Sequence, residues 1–315
     1  MPTSANGIDG ALADPGPEIQ YALPHDGWID KRGGIVERRR GRVAHTPGLG
    51  CHIDEPGFDE RGVSARAATL GVHSIGYRKS TPMNITVFGA NGLTGRQLVR
   101  QALGAGHDVV AVTRRPAEFP ISHDKLTIAE ADVHDELAVK RVLEIGSDAV
   151  LSTLGVPFDK KPIDIYSDGI TKITEAMTQH GIKRIVAVSS TAVEPHPHAE
   201  GGFLLNRIMQ PLVSKTIGKT TYADMRAMEA ILRHSNLAWT VVRSAGLFDA
   251  DHVSTNYKVS DGPLDGVFTS RADLAALLLA QATDTSHIGK TIEITTSEGA
   301  PTMLQMIRRE AFQRD

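Results

Sequence analysis

The segment Gly89-Ala90-Asn91-Gly92-Leu93-Thr94-Gly95 has the residue types and the spacing to hold a phosphate group. Gly89 permits a tight exit from a strand, Gly92 lets the backbone approach a pyrophosphate, and Gly95 allows a helix to pack closely on a sheet. The segment follows a strand signal at Ile85–Phe88 and opens a helical pattern over Leu93–Leu103, the context that gives a glycine pattern meaning. A helix start also supplies N–H groups and partial positive charge. The spacing is G-x-x-G-x-x-G rather than G-x-G-x-x-G. A structural strand-to-helix turn without a ligand is the alternative.

The next strand bears on which nicotinamide dinucleotide is held. An NAD site places an acid about 20 residues past the glycines, on the ribose 2′-hydroxyl. Here that strand ends Val112-Thr113-Arg114-Arg115, with no acid at the position. Arg114 and Arg115 suit the 2′-phosphate of NADP(H) through charge-assisted hydrogen bonds. Three further strand ends face the same crevice. Asp132 and Val133 suit an adenine edge. Thr153, Leu154 and Gly155 let a cofactor lie close. Ser189 and Ser190 fall beside the expected nicotinamide.

These residues need a scaffold of strands buried on both faces. Short β-branched runs occur at Ile85–Phe88, Asp108–Val112, Lys125–Ala129, Ala149–Ser152, Arg184–Val188, Trp239–Arg243 and Thr291–Ile294. Between them lie helical patterns at Leu93–Leu103, Tyr222–His234 and Arg271–Gln281. Another carries Tyr166, Ile170, Ile173 and Met177 on one face and ends before Gly181. Such alternation predicts an α/β fold, a Rossmann-like doubly wound parallel sheet with helices on both faces.

Residues 1–82 have another character. They hold 13 Gly and 7 Pro and show no sustained period. They read as an N-terminal extension, disordered or an artefact of the gene start, with the NAD(P)-binding domain over 83–315. The basic run Glu37-Arg38-Arg39-Arg40-Gly41-Arg42 is balanced by acids elsewhere in the extension. Over all 315 residues the net charge is −3, with 41% hydrophobic and 23% charged residues. That balance predicts no nucleic-acid partner, and no apolar run is long enough for a membrane span. A cytoplasmic protein, monomer or homodimer, is expected, with a small-molecule substrate as partner. The single cysteine, Cys51, excludes disulfides and zinc–thiolate clusters within the chain.

From Met83 to about Ile294 the chain resembles the atypical short-chain dehydrogenase/reductase group. Within that group it is similar to the NAD(P)H-binding, NmrA-like and flavin-reductase-like branch. The resemblance rests on the glycine turn, Thr113-Arg114-Arg115, Ala131-Asp132-Val133, Val188-Ser189-Ser190, Glu229 with Leu232, Ser235 through Arg243, and Ser270 through Ala275. Ser244 departs from it, since the family usually has proline there. Standard members of the superfamily use Ser with Tyr-x-x-x-Lys. None of Tyr166, Tyr222 and Tyr257 has Lys four residues on; Tyr222 is followed by Arg226. Ser189 and, more weakly, Tyr222 are the catalytic candidates. Ser190, Arg243 and His196 are the candidate substrate contacts. The segments Glu194–Glu200 and Asp249–His252 carry metal-ligand types, yet they read as polar loops, and no metal is expected.

The resemblance implies an NADPH-dependent oxidoreductase that passes hydride to a small planar acceptor such as a quinone or flavin. Such acceptors can take their proton from water, so orientation and proximity suffice. A non-catalytic NADP(H)-sensing regulator is the alternative. An epimerase is disfavoured because those members keep the tyrosine–lysine pair.

Overall fold

The computed structural model describes residues 81–157, 161–196, 218–254, 256–302 and 305, together with two strands near the N-terminus. The chain divides into two units, Met1–Asp59 and Glu60–Asp315. In the first, β1 (Gly27–Ile29) pairs antiparallel with β2 (Ile35–Glu37). The reading of residues 1–82 as an extension otherwise lies outside the described residues.

The second unit is built on a sheet of order β10-β12-β8-β7-β6-β3-β4-β5. Its strands are β3 (Asn84–Phe88), β4 (Asp108–Thr113), β5 (Leu126–Glu130), β6 (Ala149–Ser152), β7 (Arg184–Ser190), β8 (Ala238–Ser244), β10 (Lys258–Ser260) and β12 (Lys290–Thr295). All neighbours are parallel except β10, which runs antiparallel on the edge. β9 (Gly246–Phe248) and β11 (Phe268–Ser270) form a separate parallel pair beyond β8. The doubly wound sheet predicted above is therefore present.

Five helices among the described residues cover the sheet: α1 (Leu93–Gly104), α2 (Glu136–Glu144), α3 (Ser167–Gln179), α4 (Lys219–His234) and α5 (Arg271–Thr283). Alternate strand residues feed two cores. Ile85, Val87 and Val186 join Leu98, Leu274 and Leu278 of α1 and α5. Phe88, Ile185 and Ala187 join Val139, Ile173, Met228 and Leu232 of α2, α3 and α4. Burial on both faces explains why these strands read as unbroken apolar runs.

The chain turns from β3 to β4 on one side and reaches β6 on the other, so the sheet reverses direction at β3. Ligands of open α/β sheets bind at such a point. Phe88 lies level with Ser152 and Ala187, while β7 and β8 run on to Ser190 and Ser244. The two longer strands thus raise a step beside the crevice.

Two details depart from the sequence reading. Helix α2 is new; Asp135 caps it, accepting from the N–H groups of Leu137 at 3.0 Å and Ala138 at 3.1 Å. Helix α3 begins at Ser167, not at Tyr166. Its opening is held from outside, because the Asp224 carboxylate accepts from Tyr166 N at 2.9 Å and Ser167 N at 3.2 Å.

Candidate functional site

The turn after β3 is shaped by steric necessity. Gly89 has φ +74, and a Cβ there would stand 2.5 Å from the Thr153 carbonyl oxygen. A Cβ on Gly95 would stand 2.3 Å from the Gly89 oxygen. Contacts that close with backbone leave room only for glycine. Thr153 secures the other side, its hydroxyl donating to the carbonyls of Phe88 at 3.0 Å and Gly89 at 3.2 Å. Asn91 is pinned by Arg96, whose Nε and Nη2 donate to Oδ1 at 3.0 and 2.8 Å. No side chain caps α1 and no acid lies in its first turn. Its N–H groups and the positive end of its dipole are therefore available to a phosphate. The residues present suit a dinucleotide: the glycines close the turn on Thr153 and α1, and the uncapped helix start faces the cavity.

Gly89, Asn91, Gly92, Leu93, Thr94, Arg114, Arg115, Asp132, Val133, Thr153, Leu154 and Gly155 line one cavity of about 1030 Å³. Gly95 is not among its lining residues and acts by packing α1 on the turn. Arg114 and Arg115 are exposed. Arg114 Nη1 is 3.8 Å from Asp132 Oδ2, and Arg115 Nη1 is 3.0 Å from Glu118 Oε2. Exposed pairs of this kind are worth little. Both guanidinium groups can exchange them for a phosphate at small cost.

Beyond the step, the cavity wall turns apolar and aromatic, with Val156, Ile165, Tyr166, Ala192, Tyr222 and Met225. Ser190 and Tyr222 stand here and are hydrogen-bonded to each other. Burial pushes the Tyr222 phenol above its usual value. Arg226 does not counter this, because its Nε donates to the Val193 carbonyl at 3.0 Å. The arginine thus spends its Nε on backbone, and no contact from it to the Tyr222 hydroxyl is seen among the described residues. We expect Tyr222→Phe to lower turnover by less than about tenfold, where loss of a general acid would cost roughly 10²–10⁴-fold. Steady-state kinetics with NADPH and a quinone checks this; a thousandfold fall with unchanged NADPH affinity would restore a tyrosine acid.

The structure corrects the chemistry expected of Ser189. The residue borders the cavity but is 1% exposed, and its hydroxyl donates to Glu229 Oε1 at 2.7 Å. Its one proton is thus committed to a carboxylate and is not offered to an acceptor carbonyl. Arg243 is corrected as well. It lies opposite Ser189 in the register of β7 and β8 and does not line the cavity. Its Nε and Nη2 donate to the two oxygens of Glu229 at 3.0 and 2.7 Å, and its Nη1 to Glu194 Oε2 at 2.7 Å. His196 also falls away from the cavity; its Nε2 is 3.0 Å from the Leu264 carbonyl oxygen.

Arg233 Nη2 completes the arrangement at 2.7 Å from Glu229 Oε2. Glu229 is fully buried. Burial opposes its ionisation, but the hydrogen bonds from Arg243, Arg233 and Ser189 outweigh it and hold the carboxyl below its ordinary value. This buried network fixes the end of β7 and β8, and with it the step that bounds the cavity.

Sequence reasoning missed Tyr166 and Arg271 as cavity residues. The spacing with Ile170, Ile173 and Met177 marks Tyr166 as part of a packing face. Arg271 follows Ser270, which lies opposite Phe248 in the β9–β11 register, and it pairs with Asp249 at 2.9 Å. The loop signal Asp249–His252 is thereby accounted for by ion pairs, with His252 3.2 Å from Glu298. Residues 197–200 lie outside the described residues. Among the described residues no group of three or more His, Cys, Asp or Glu could hold a metal, and no helix is long and apolar enough to cross a membrane.

Known proteins share this fold. A structure of a wide-type short-chain dehydrogenase/reductase from Veillonella parvula, in complex with NADP, superposes with a TM-score of 0.57 at 16% identity, covering 71% of this chain and 100% of that one. An anaerobillin reductase from Escherichia coli O157:H7 superposes with a TM-score of 0.54 at 18% identity, covering 70% and 100%. Both likenesses concern the fold. An uncharacterised chloroplastic protein of Arabidopsis thaliana is 31% identical over 174 residues, 52% of this chain and 59% of its own length. An uncharacterised protein of Mycobacterium bovis is 38% identical over 109 residues, 34% of this chain and 12% of its own length. The chain thus spans only part of these relatives. The family model described as NAD(P)H-binding matches residues 89–285, from the first glycine of the turn to just past the end of α5. The chain belongs to that NAD(P)H-binding family.

Proposed function

We propose that the protein is an NADPH-dependent oxidoreductase that delivers hydride to a small planar acceptor such as a quinone or flavin. One observation carries the reading. A single cavity runs from Arg114 and Arg115, past the uncapped start of α1, to an apolar and aromatic wall that has no tyrosine–lysine pair. The cationic end suits a 2′-phosphate, the helix start a pyrophosphate, and the aromatic end a flat ring. The bound nicotinamide supplies the hydride; the chain orients the two rings and keeps water from between them. The NADP complex of a fold neighbour and the reductase activity named for another support this reading.

Arg114→Ala should weaken NADPH binding by roughly 1.5–3 kcal/mol, the worth of hydrogen bonds to a charged group. NADH affinity should change much less. Calorimetric titration with both cofactors checks this, and equal losses would mean that Arg114 serves the fold. NADPH oxidation with a panel of quinones and flavins tests the activity. The cofactor-sensing alternative is favoured by the commitment of Ser189 to Glu229, which removes a catalytic candidate. It predicts NADPH binding with no turnover on any acceptor.

A further inference from the structure

Tyr166 has a role that its packing does not explain. The ring is 3% exposed, filling the core between α3 and α4, while the residue also lines the cavity. Its hydroxyl lies beside Gly155, where an added Cβ would be 3.9 Å away. Its backbone is clamped by Asp224, which projects from the same helix as Tyr222 and Met225 of the cavity wall. The phenol lies by the backbone of Val156, in the segment after β6 that lines the cavity. Among the described residues no acceptor takes a hydrogen bond from the hydroxyl, which is left to donate into the cavity. Burial, with Asp224 and Tyr222 nearby, pushes the phenol up to about 12. The group therefore stays a neutral O–H at any physiological pH.

We propose that Tyr166 positions the acceptor by donating its O–H to a carbonyl oxygen conjugated to the atom that receives hydride. The ligand class follows from the donor together with the apolar and aromatic wall: a flat ring system bearing such a carbonyl. Hydride addition forms the new bond at the conjugated atom and pushes the π electrons onto that oxygen. The oxyanion is stabilised by the Tyr166 hydrogen bond and takes its proton from water. A donor held in place before charge develops needs no reorganisation when it does. This proposal rests on the reductase reading for its chemistry, but its binding consequence stands apart.

The test uses the full chain with NADP⁺ bound, so that no turnover occurs. Dissociation constants are measured for 1,4-naphthoquinone and for naphthalene, which has the rings without the carbonyls. The wild-type chain should prefer the quinone by about tenfold or more, as a neutral hydrogen bond allows. Tyr166→Phe keeps the buried ring, so the melting temperature and NADP⁺ affinity should hold while the preference falls to near parity. With NADPH, its kcat/KM for the quinone should fall by roughly tenfold to a hundredfold. A quinone preference that is absent in the wild type, or intact in Tyr166→Phe, overturns the proposal. A preference lost in the variant without turnover in either protein supports the Tyr166 assignment while refuting the reductase. Turnover and quinone preference unchanged in the variant refute Tyr166 alone.

Discussion

Gly89→Ala should abolish dinucleotide binding in a chain that still folds. The residue sits at φ +74, where an L side chain costs about 1–2 kcal/mol, and its Cβ would be driven to 2.5 Å from the Thr153 carbonyl oxygen. Neither contact partner is the end of a flexible side chain, so the backbone of the turn or of residues 153–154 must move. That movement displaces the uncapped start of α1, the proposed seat of the phosphates. We expect NADPH affinity to drop at least about a hundredfold, equivalent to about 2.8 kcal/mol. Stability should fall by roughly 2–4 kcal/mol. Gly106→Ala is the control. Gly106 has φ +88, but nothing lies within 4 Å of its added Cβ. It should lose only the conformational cost and bind NADPH normally. Normal binding by Gly89→Ala would show that the turn does not hold the cofactor.

The second large effect belongs to Glu229. Its two oxygens accept from Ser189, from Arg243 twice and from Arg233. Glu229→Ala would leave Arg243, itself 6% exposed, with only the Glu194 partner. Removing one member of a buried pair costs about 3–5 kcal/mol. Glu229→Gln should cost nearly as much, because every neighbour at this site donates and an amide nitrogen cannot accept. The pH dependence follows from the sign of the shift. The carboxyl ionises more readily in the folded state than at its ordinary value of 4.5. Its contribution is present above that value and is lost as the pH falls through it toward the lower folded value. Chemical denaturation of the wild type should weaken over this range, and the Glu229→Gln chain should show a flatter acid limb. A variant with wild-type stability at neutral pH would contradict the network.

The sheet was legible because its central strands are buried on both faces, so each appears as a short apolar run with a glycine or polar end. Ile85–Phe88 and Ala149–Ser152 are the clearest cases. The glycine turn was legible for a related reason, since only one residue type tolerates those contacts. Helix α2 was missed although Asp135 and the Ala138, Val139, Val142, Leu143 stripe announce it. The three-residue strands β9 and β11 carry too few residues to show a period.

The residues of the site divide in the same way. Residue type and chain position suffice for a phosphate turn, but not for partners supplied by distant elements. Ser189 and Arg243 look like crevice residues because both stand near the ends of strands. Strand parity decides otherwise. Ile185 and Ala187 pack toward α3 and α4, so Ser189 follows them toward that face and meets Glu229, 40 residues away. Tyr166 shows the converse. Its spacing with Ile170 and Ile173 marks it as core, and only the placement of Gly155 and Val156 shows that its hydroxyl end reaches the cavity.

If the cavity holds NADPH, its 2′-phosphate meets Arg114 and Arg115. Isothermal titration of the full chain with NADPH and with NADH, at one fixed ionic strength, tests this most directly. Binding should saturate at one NADPH per chain and be tighter than for NADH by about tenfold or more, one or more charge-assisted hydrogen bonds' worth. The gap should narrow as salt is raised, because both guanidinium groups are exposed. Equal affinity for the two cofactors, tighter NADH, or no binding of either would contradict this placement of NADPH.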